Sequence, residues 1–174
     1  GDFVSESGGS GGAWLDYDVD GRLDVFLVNG LPTWGDYSKG SGHTFMRSHG
    51  DRFSKAPEAA GLRDLVWGSG ATVGDVDNDG FPDIFVTALG SDHLYRNNGD
   101  GTFSAWPAGI SGNDWSTSAT FTDWDGDGFL DLYVAKYLEF DEEEIPVPGD
   151  GACFYGTVEV LCGPDGLVGT RDKL

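Results

Sequence analysis

The sequence predicts an all-β chain made of repeats of one four-stranded antiparallel unit, the blades of a propeller or array. Three observations carry that expectation. A nonapeptide of the form D-x-D-x-D-G-x-x-D occurs three times, as DYDVDGRLD at 16–24, DVDNDGFPD at 75–83 and DWDGDGFLD at 123–131. Each copy sits between two strand-like runs: GGAWL, GSGATVG or STSATFT before it, and DVFLVNG, DIFVTALG or DLYVAKYL after it. The 29 glycines, set among short aromatic and β-branched runs, suit many tight turns between short strands. Self-similarity at a period of about 50 residues is the signature of repeated supersecondary units.

Taken in order, each unit reads strand, aspartate loop, strand, turn, strand, glycine-rich turn, strand. The first spans about 11–55 and carries an insertion at LPTWGDYSKGSG, since Asp24 lies 19 residues before His43 where Asp83 lies only 10 before His93. The second, about 66–106, is the cleanest, and NNGDGTF at 97–103 gives it a hairpin turn of the usual residues. His43, Phe45 and Phe53 share the spacing of His93, Tyr95 and Phe103, which sets the two histidines at one repeat position as structural strand-face residues. The third unit starts near 115, takes an insertion at 139–169 and resumes at RDKL, which resembles DHLY at 92–95 as the opening of a third strand. It is truncated at 174. The whole 1–174 chain is thus one repeat array of about two and a half blades, an incomplete ring. DFVSES near the start reads as the remnant of a preceding unit, and an initial Gly in place of Met suggests a chain processed or cut from something longer.

The formal charge of −20 argues against nucleic acid, whose phosphates need Lys and Arg, and against an anionic membrane surface. No apolar run is long enough to insert into a membrane. With 39% hydrophobic residues the chain can still build a core. Its acids are therefore either spread over solvated surface or held by cations.

The aspartate loop favours cations. Asp at positions 1, 3 and 5 can turn three carboxylates inward around a bend, and Gly at position 6 permits that bend. The carbonyl at position 7 and the Asp at position 9 add two more oxygens. This is the all-oxygen donor set of Ca²⁺; Mg²⁺ keeps more water, and Zn²⁺ would call for His or Cys. The metal ligands so expected, for about three ions, are Asp16, Asp18, Asp20, Arg22 (carbonyl) and Asp24; Asp75, Asp77, Asp79, Phe81 (carbonyl) and Asp83; and Asp123, Asp125, Asp127, Phe129 (carbonyl) and Asp131. An EF-hand is excluded, because its position 12 needs Glu where this chain has Leu27, Val86 and Val134.

A D-x-D-x-D-G-x-x-D loop between two strands resembles the FG-GAP/VCBS repeat of integrin α-like β-propellers. The runs GGAWLDYDVDGRLDVFLVNG and CFYGTVEVLCGPDGLVGTRDKL further resemble the cartilage acidic protein-like branch. The resemblance implies blades of four antiparallel strands, Ca²⁺ between the first two strands, a secreted or cell-surface setting, and a role in scaffolding, adhesion or ligand display. An incomplete array leaves open edges and an uncovered blade face. Further blades of a parent chain or copies of this chain are the expected partners, with a protein or glycan as possible ligand.

Cys153 and Cys162, eight residues apart in a Gly/Pro-rich stretch, are expected to form a disulfide contributing ~2–3 kcal/mol, with two reduced thiols as the alternative. The six tryptophans are expected mostly in blade cores, with Trp34 and Trp106 as candidates for exposed loops. The DEEE run at 141–144 reads as solvated loop. No G-x-S-x-G, H-E-x-x-H or P-loop is present, so no catalytic residue is assigned and no enzyme is expected. The competing reading is a carbohydrate-binding or catalytic propeller segment of a secreted polysaccharide-active enzyme.

Overall fold

The computed structural model describes residues 10–30, 42–56, 61–62, 66–107, 114–139, 153–155, 158–160 and 168–174, with 153–155 and 158–160 described by backbone alone. Trp34, the DFVSES and DEEE segments, the first insertion and most of the second lie outside the described residues. So does Cys162, and with it the expected Cys153–Cys162 disulfide.

The described residues contain strands and no helix. Strands β1 (Gly12–Leu15), β2 (Asp24–Leu27), β3 (Thr44–Ser48) and β4 (Phe53–Lys55) form one antiparallel sheet in chain order. Strands β5 (Trp67–Gly74), β6 (Asp83–Gly90), β7 (His93–Asn97) and β8 (Phe103–Trp106) repeat that meander. Strands β9 (Asp114–Thr122) and β10 (Asp131–Glu139) begin a third unit, which touches the second where Leu89 and Gly90 pair with Trp115 and Asp114. β11 (Cys153–Tyr155) and β12 (Val158–Val160) make a separate hairpin. The aspartate loops fall between β1 and β2, β5 and β6, and β9 and β10.

Strand alternation decides how the sheets stack. Count each first loop Asp as position 1. In unit one, Leu15, Tyr17, Phe26, Val28 and Phe45 point to one face, and that face packs on Ile84, Val86, Tyr95 and Phe103 of unit two, with Ala71 and Val73 alongside. The other face of unit two, through Phe85, Leu94, Val76 and Trp106, packs on Leu132, Val134, Ala119 and Phe121 of unit three. Positions 11 and 13 of one sheet therefore meet positions 10 and 12 of the next, the face-to-face packing of successive blades. Fully buried side chains such as Tyr95, Phe26 and Phe85 each contribute about 1.5–3 kcal/mol.

The small-residue runs before the loops follow from crowding of the first strands. Gly11 N–H donates to Ser69 O at 2.8 Å. A Cβ on Gly11 would stand 3.1 Å from Gly70 Cα, and one on Gly70 would stand 3.1 Å from Thr117 O. Larger side chains there would push the sheets apart.

Two expectations change. Thr44, not His43, pairs with Leu27 as His93 pairs with Val86, so His43 stands where unit two has Asp92. The spacing misleads because the β3–β4 turn is one residue shorter than the β7–β8 turn. Similarly, 168–174 does pair with β10, but through Val134↔Lys173, which sets RDKL one residue out of register with DHLY. Asp172 then matches Asp92: Asp92 Oδ1 accepts Ala88 N–H at 2.9 Å and Asp172 Oδ1 accepts Lys136 N–H at 2.8 Å. The tryptophans also divide. Trp67 is buried and Trp106 packs into the core, whereas Trp14 is 61% and Trp124 74% exposed. Trp14 and Trp124 occupy core-forming positions on the two outer faces of the stack, where no further sheet among the described residues covers them.

Candidate metal centre

Each loop is shaped first by its own backbone. Gly21, Gly80 and Gly128, at position 6, have φ of +83°, +91° and +91°, the left-handed turn expected of them. Position 4 is left-handed as well, at Val19 (φ 54°), Asn78 (φ 57°) and Gly126 (φ 77°). That curl aims the following N–H groups back at the position-1 carboxylate. Asp16 accepts from Asp20 and Gly21 at 2.9 and 2.8 Å, and Asp75 accepts from Asp79 and Gly80 at 3.0 and 2.9 Å. Asp123 accepts from Gly126, Asp127 and Gly128 at 2.8–3.1 Å.

Position 9 is the staple between loop and sheet. Asp83 accepts Val76 N–H at 2.9 Å on one oxygen and Asn97 N–H at 2.8 Å on the other; Asp24 does the same with Tyr17 at 3.3 Å and Ser48 at 2.7 Å. Both carboxyls are essentially inaccessible, at 0% and 1% exposure. Burial pushes both above the usual carboxylate range, and the two backbone N–H bonds oppose it only in part. Asp131 accepts Trp124 N–H at 2.9 Å in a more open loop.

The carboxylates converge in two patterns. In loops one and two, oxygens of positions 1, 3 and 9 (Asp16, Asp18 and Asp24; Asp75, Asp77 and Asp83) lie within 4.8 Å of one another. In loop three, positions 1, 3 and 5 converge instead (Asp123, Asp125 and Asp127). Asp20 and Asp79 are held elsewhere. Their Oδ1 atoms accept the N–H of Arg22 and Phe81 at 3.0 Å each, as Asp127 Oδ1 accepts that of Phe129 at 2.8 Å, but their Oδ2 atoms face arginines. Asp131 stands outside the third group. The arginines are Arg22 within loop one, and Arg47 and Arg96 at equivalent places on β3 and β7, which no spacing in the sequence singles out. Arg47 pairs with Asp18 and lies 3.7 Å from Asp20; Arg96 lies 2.6 Å from Asp77 and 3.1 Å from Asp79.

Asp18 and Asp77 each belong to one of these groups, and the Oδ1 of each is out of solvent and accepts no hydrogen bond. A buried carboxylate oxygen without a donor is costly, and a hard cation is the partner such a site lacks. The all-oxygen donor set fits a calcium-sized ion.

A family model for the FG-GAP-like repeat matches the chain twice, over residues 16–86 and 75–134, together well over half of its length. The chain belongs to the FG-GAP-like repeat family. Each FG-GAP-like match runs from the first aspartate of one loop to position 12 beyond the next, so the recurring unit joins two loops across a sheet-to-sheet interface. No curated protein matches the chain. No helix among the described residues is long and apolar enough to cross a membrane.

Proposed function

We propose that this FG-GAP-like chain is a calcium-binding β-propeller segment that serves as a scaffold for extracellular adhesion or ligand binding, and that it is not an enzyme. The observation that carries the calcium reading is the donorless, buried oxygen of Asp18 and of Asp77 inside a carboxylate group. Asp16, Asp18 and Asp24, then Asp75, Asp77 and Asp83, then Asp123, Asp125 and Asp127 would hold the ions, with the carbonyls of Arg22, Phe81 and Phe129 as further oxygens. A bound divalent cation neutralises the mutual repulsion of these acids and ties the first two strands of each blade at their corner. The module reading draws further support from the repeated architecture and the absence of any catalytic motif in the sequence. Integrin α-like or cartilage acidic protein-like kinship and a secreted or cell-surface location belong to the same proposal.

The exposed outer faces suit association with further blades, either of a parent chain or of a second copy. On unit one, Trp14, Leu27 and Phe53 are exposed at positions that unit two fills with the core residues Val73, Val86 and Phe103. The calcium reading is tested by Asp77→Ala. The variant should melt at a lower temperature than the parent in calcium and within a degree or two of it in EDTA. Equal losses in both buffers would mean that Asp77 acts through the fold and not through an ion.

A further inference from the structure

The three loops share one nine-residue pattern, yet their position-5 carboxylates differ, and the difference goes with the presence of an arginine. Where an arginine from the third strand of the sheet reaches the loop, position 5 is drawn out of the carboxylate group. Arg96 Nη2 bridges Asp77 Oδ2 and Asp79 Oδ2, and Asp79 is absent from the group that Asp75, Asp77 and Asp83 form. Arg47 pairs with Asp18 and lies 3.7 Å from Asp20, which Arg22 holds by a hydrogen bond. In loop three no arginine contact is found among the described residues, and there Asp127 joins Asp123 and Asp125.

We infer that Arg47 and Arg96 are built-in counter-ions that set the calcium response of loops one and two. This rests on the calcium reading above. Each guanidinium supplies positive charge to the same carboxylates an ion would use, and it keeps one of them, at position 5, turned away. The Oδ1 of Asp18 and of Asp77 is left buried without a donor while Oδ2 is taken by the arginine. The metal-free loops are thereby held in shape, and a cation entering them must work against a fixed positive charge. Such a group stabilises the empty loop more than the filled one, so by linkage it weakens binding. Both arginine side chains are close to half exposed, which screens the effect and limits it to roughly three- to tenfold per site. Loop three, which lacks this counter-ion, is the first to fill.

The test is a calorimetric titration of the whole chain with calcium chloride in low salt, on the parent and on Arg47→Met, Arg96→Met and their double variant. The parent should show one tighter site and two weaker ones, and Asp125→Asn should remove the tighter. Each methionine variant should tighten one weak site about three- to tenfold, and melting in EDTA should drop as the empty loop loses its counter-ion. Arg96→Lys, which keeps a charge but cannot span two carboxylates as a fork, should fall between parent and methionine; it also serves if the methionine variants do not fold in EDTA. Affinities that stay the same or weaken across Arg, Lys and Met would overturn the inference while leaving calcium binding intact. Absence of any calcium heat in parent and variants alike would instead remove the calcium reading itself.

Discussion

At the scale of single residues, position 4 of the loop is where sequence and backbone disagree. Asn78 and Gly126 tolerate a left-handed conformation, but Val19 is β-branched and adopts it at φ 54°. Its side chain is mostly exposed, so nothing repays the strain by burial. Val19→Asn should stabilise the protein by about 1 kcal/mol, read as a higher melting temperature with unchanged calcium affinity. A lower melting temperature would show that Val19 makes a contact worth more than its strain. The nonapeptide itself, the glycine at position 6 and the hairpin turn were all legible in the sequence, because each is a local chemical requirement printed in adjacent residues. Arg47 and Arg96 were not. A lone basic residue in a strand carries no spacing signal, and only the pairing of β3 with β2, or β7 with β6, brings it to a loop 17–29 residues earlier in the chain.

At the scale of elements, two buried ionic features join loop to sheet and sheet to sheet. Asp24 and Asp83 have folded-state carboxyls raised above the ordinary value of 3.8 by burial. A raised carboxyl favours the protonated fold, so its contribution is fully present below that ordinary value and is lost as pH rises through the higher folded one. In calcium-free buffer the melting temperature should therefore fall as pH is raised from about 4, and Asp83→Asn should flatten the slope. Calcium should reverse it, since ionised carboxylates are the ones that bind. A metal-free protein that gains stability over that range would contradict the buried-carboxyl picture.

The second feature links units two and three. Lys136 Nζ donates to Asp92 Oδ2 at 3.0 Å and to Ser116 Oγ at 2.6 Å, while Ser116 Oγ donates to the same Asp92 oxygen at 2.7 Å. The Lys136 side chain is 2% exposed. Removing one partner strands the other charge in the core, so Lys136→Met should cost ~3–5 kcal/mol, and adding Asp92→Asn should recover part of the loss. Additive losses in a thermodynamic cycle would show that the pair is not coupled. The strands flanking the loops could be read from their apolar alternation, but this triad could not. Lys136 stands in DLYVAKYL where unit two has Ala88, and only the stacking of two sheets shows which acid it meets. The register of β3 and β7 escaped for a related reason: a one-residue difference in turn length is invisible when histidines happen to repeat at the same spacing.

At the scale of the whole molecule, the two interior interfaces define what the outer faces lack. Trp14 on one end and Trp124 on the other occupy positions that are core when a neighbour is present, as Val73 and Val76 are in unit two. A second copy stacking on such a face would bury that surface, with the net negative charge opposing it. Trp14→Glu should abolish any concentration-dependent rise in sedimentation coefficient seen for the parent in calcium while barely changing its melting temperature. Association that survives the substitution would place the contact elsewhere.

The most direct measurement is a count of bound ions. Equilibrium dialysis of the intact chain against radioactive calcium, in salt high enough to suppress loose counter-ion binding, should saturate at about three ions per chain. Asp77→Ala should lower the count by about one. Saturation near zero, or uptake that rises without limit and ignores the substitution, would mean that the three acidic loops are solvated surface and not calcium sites.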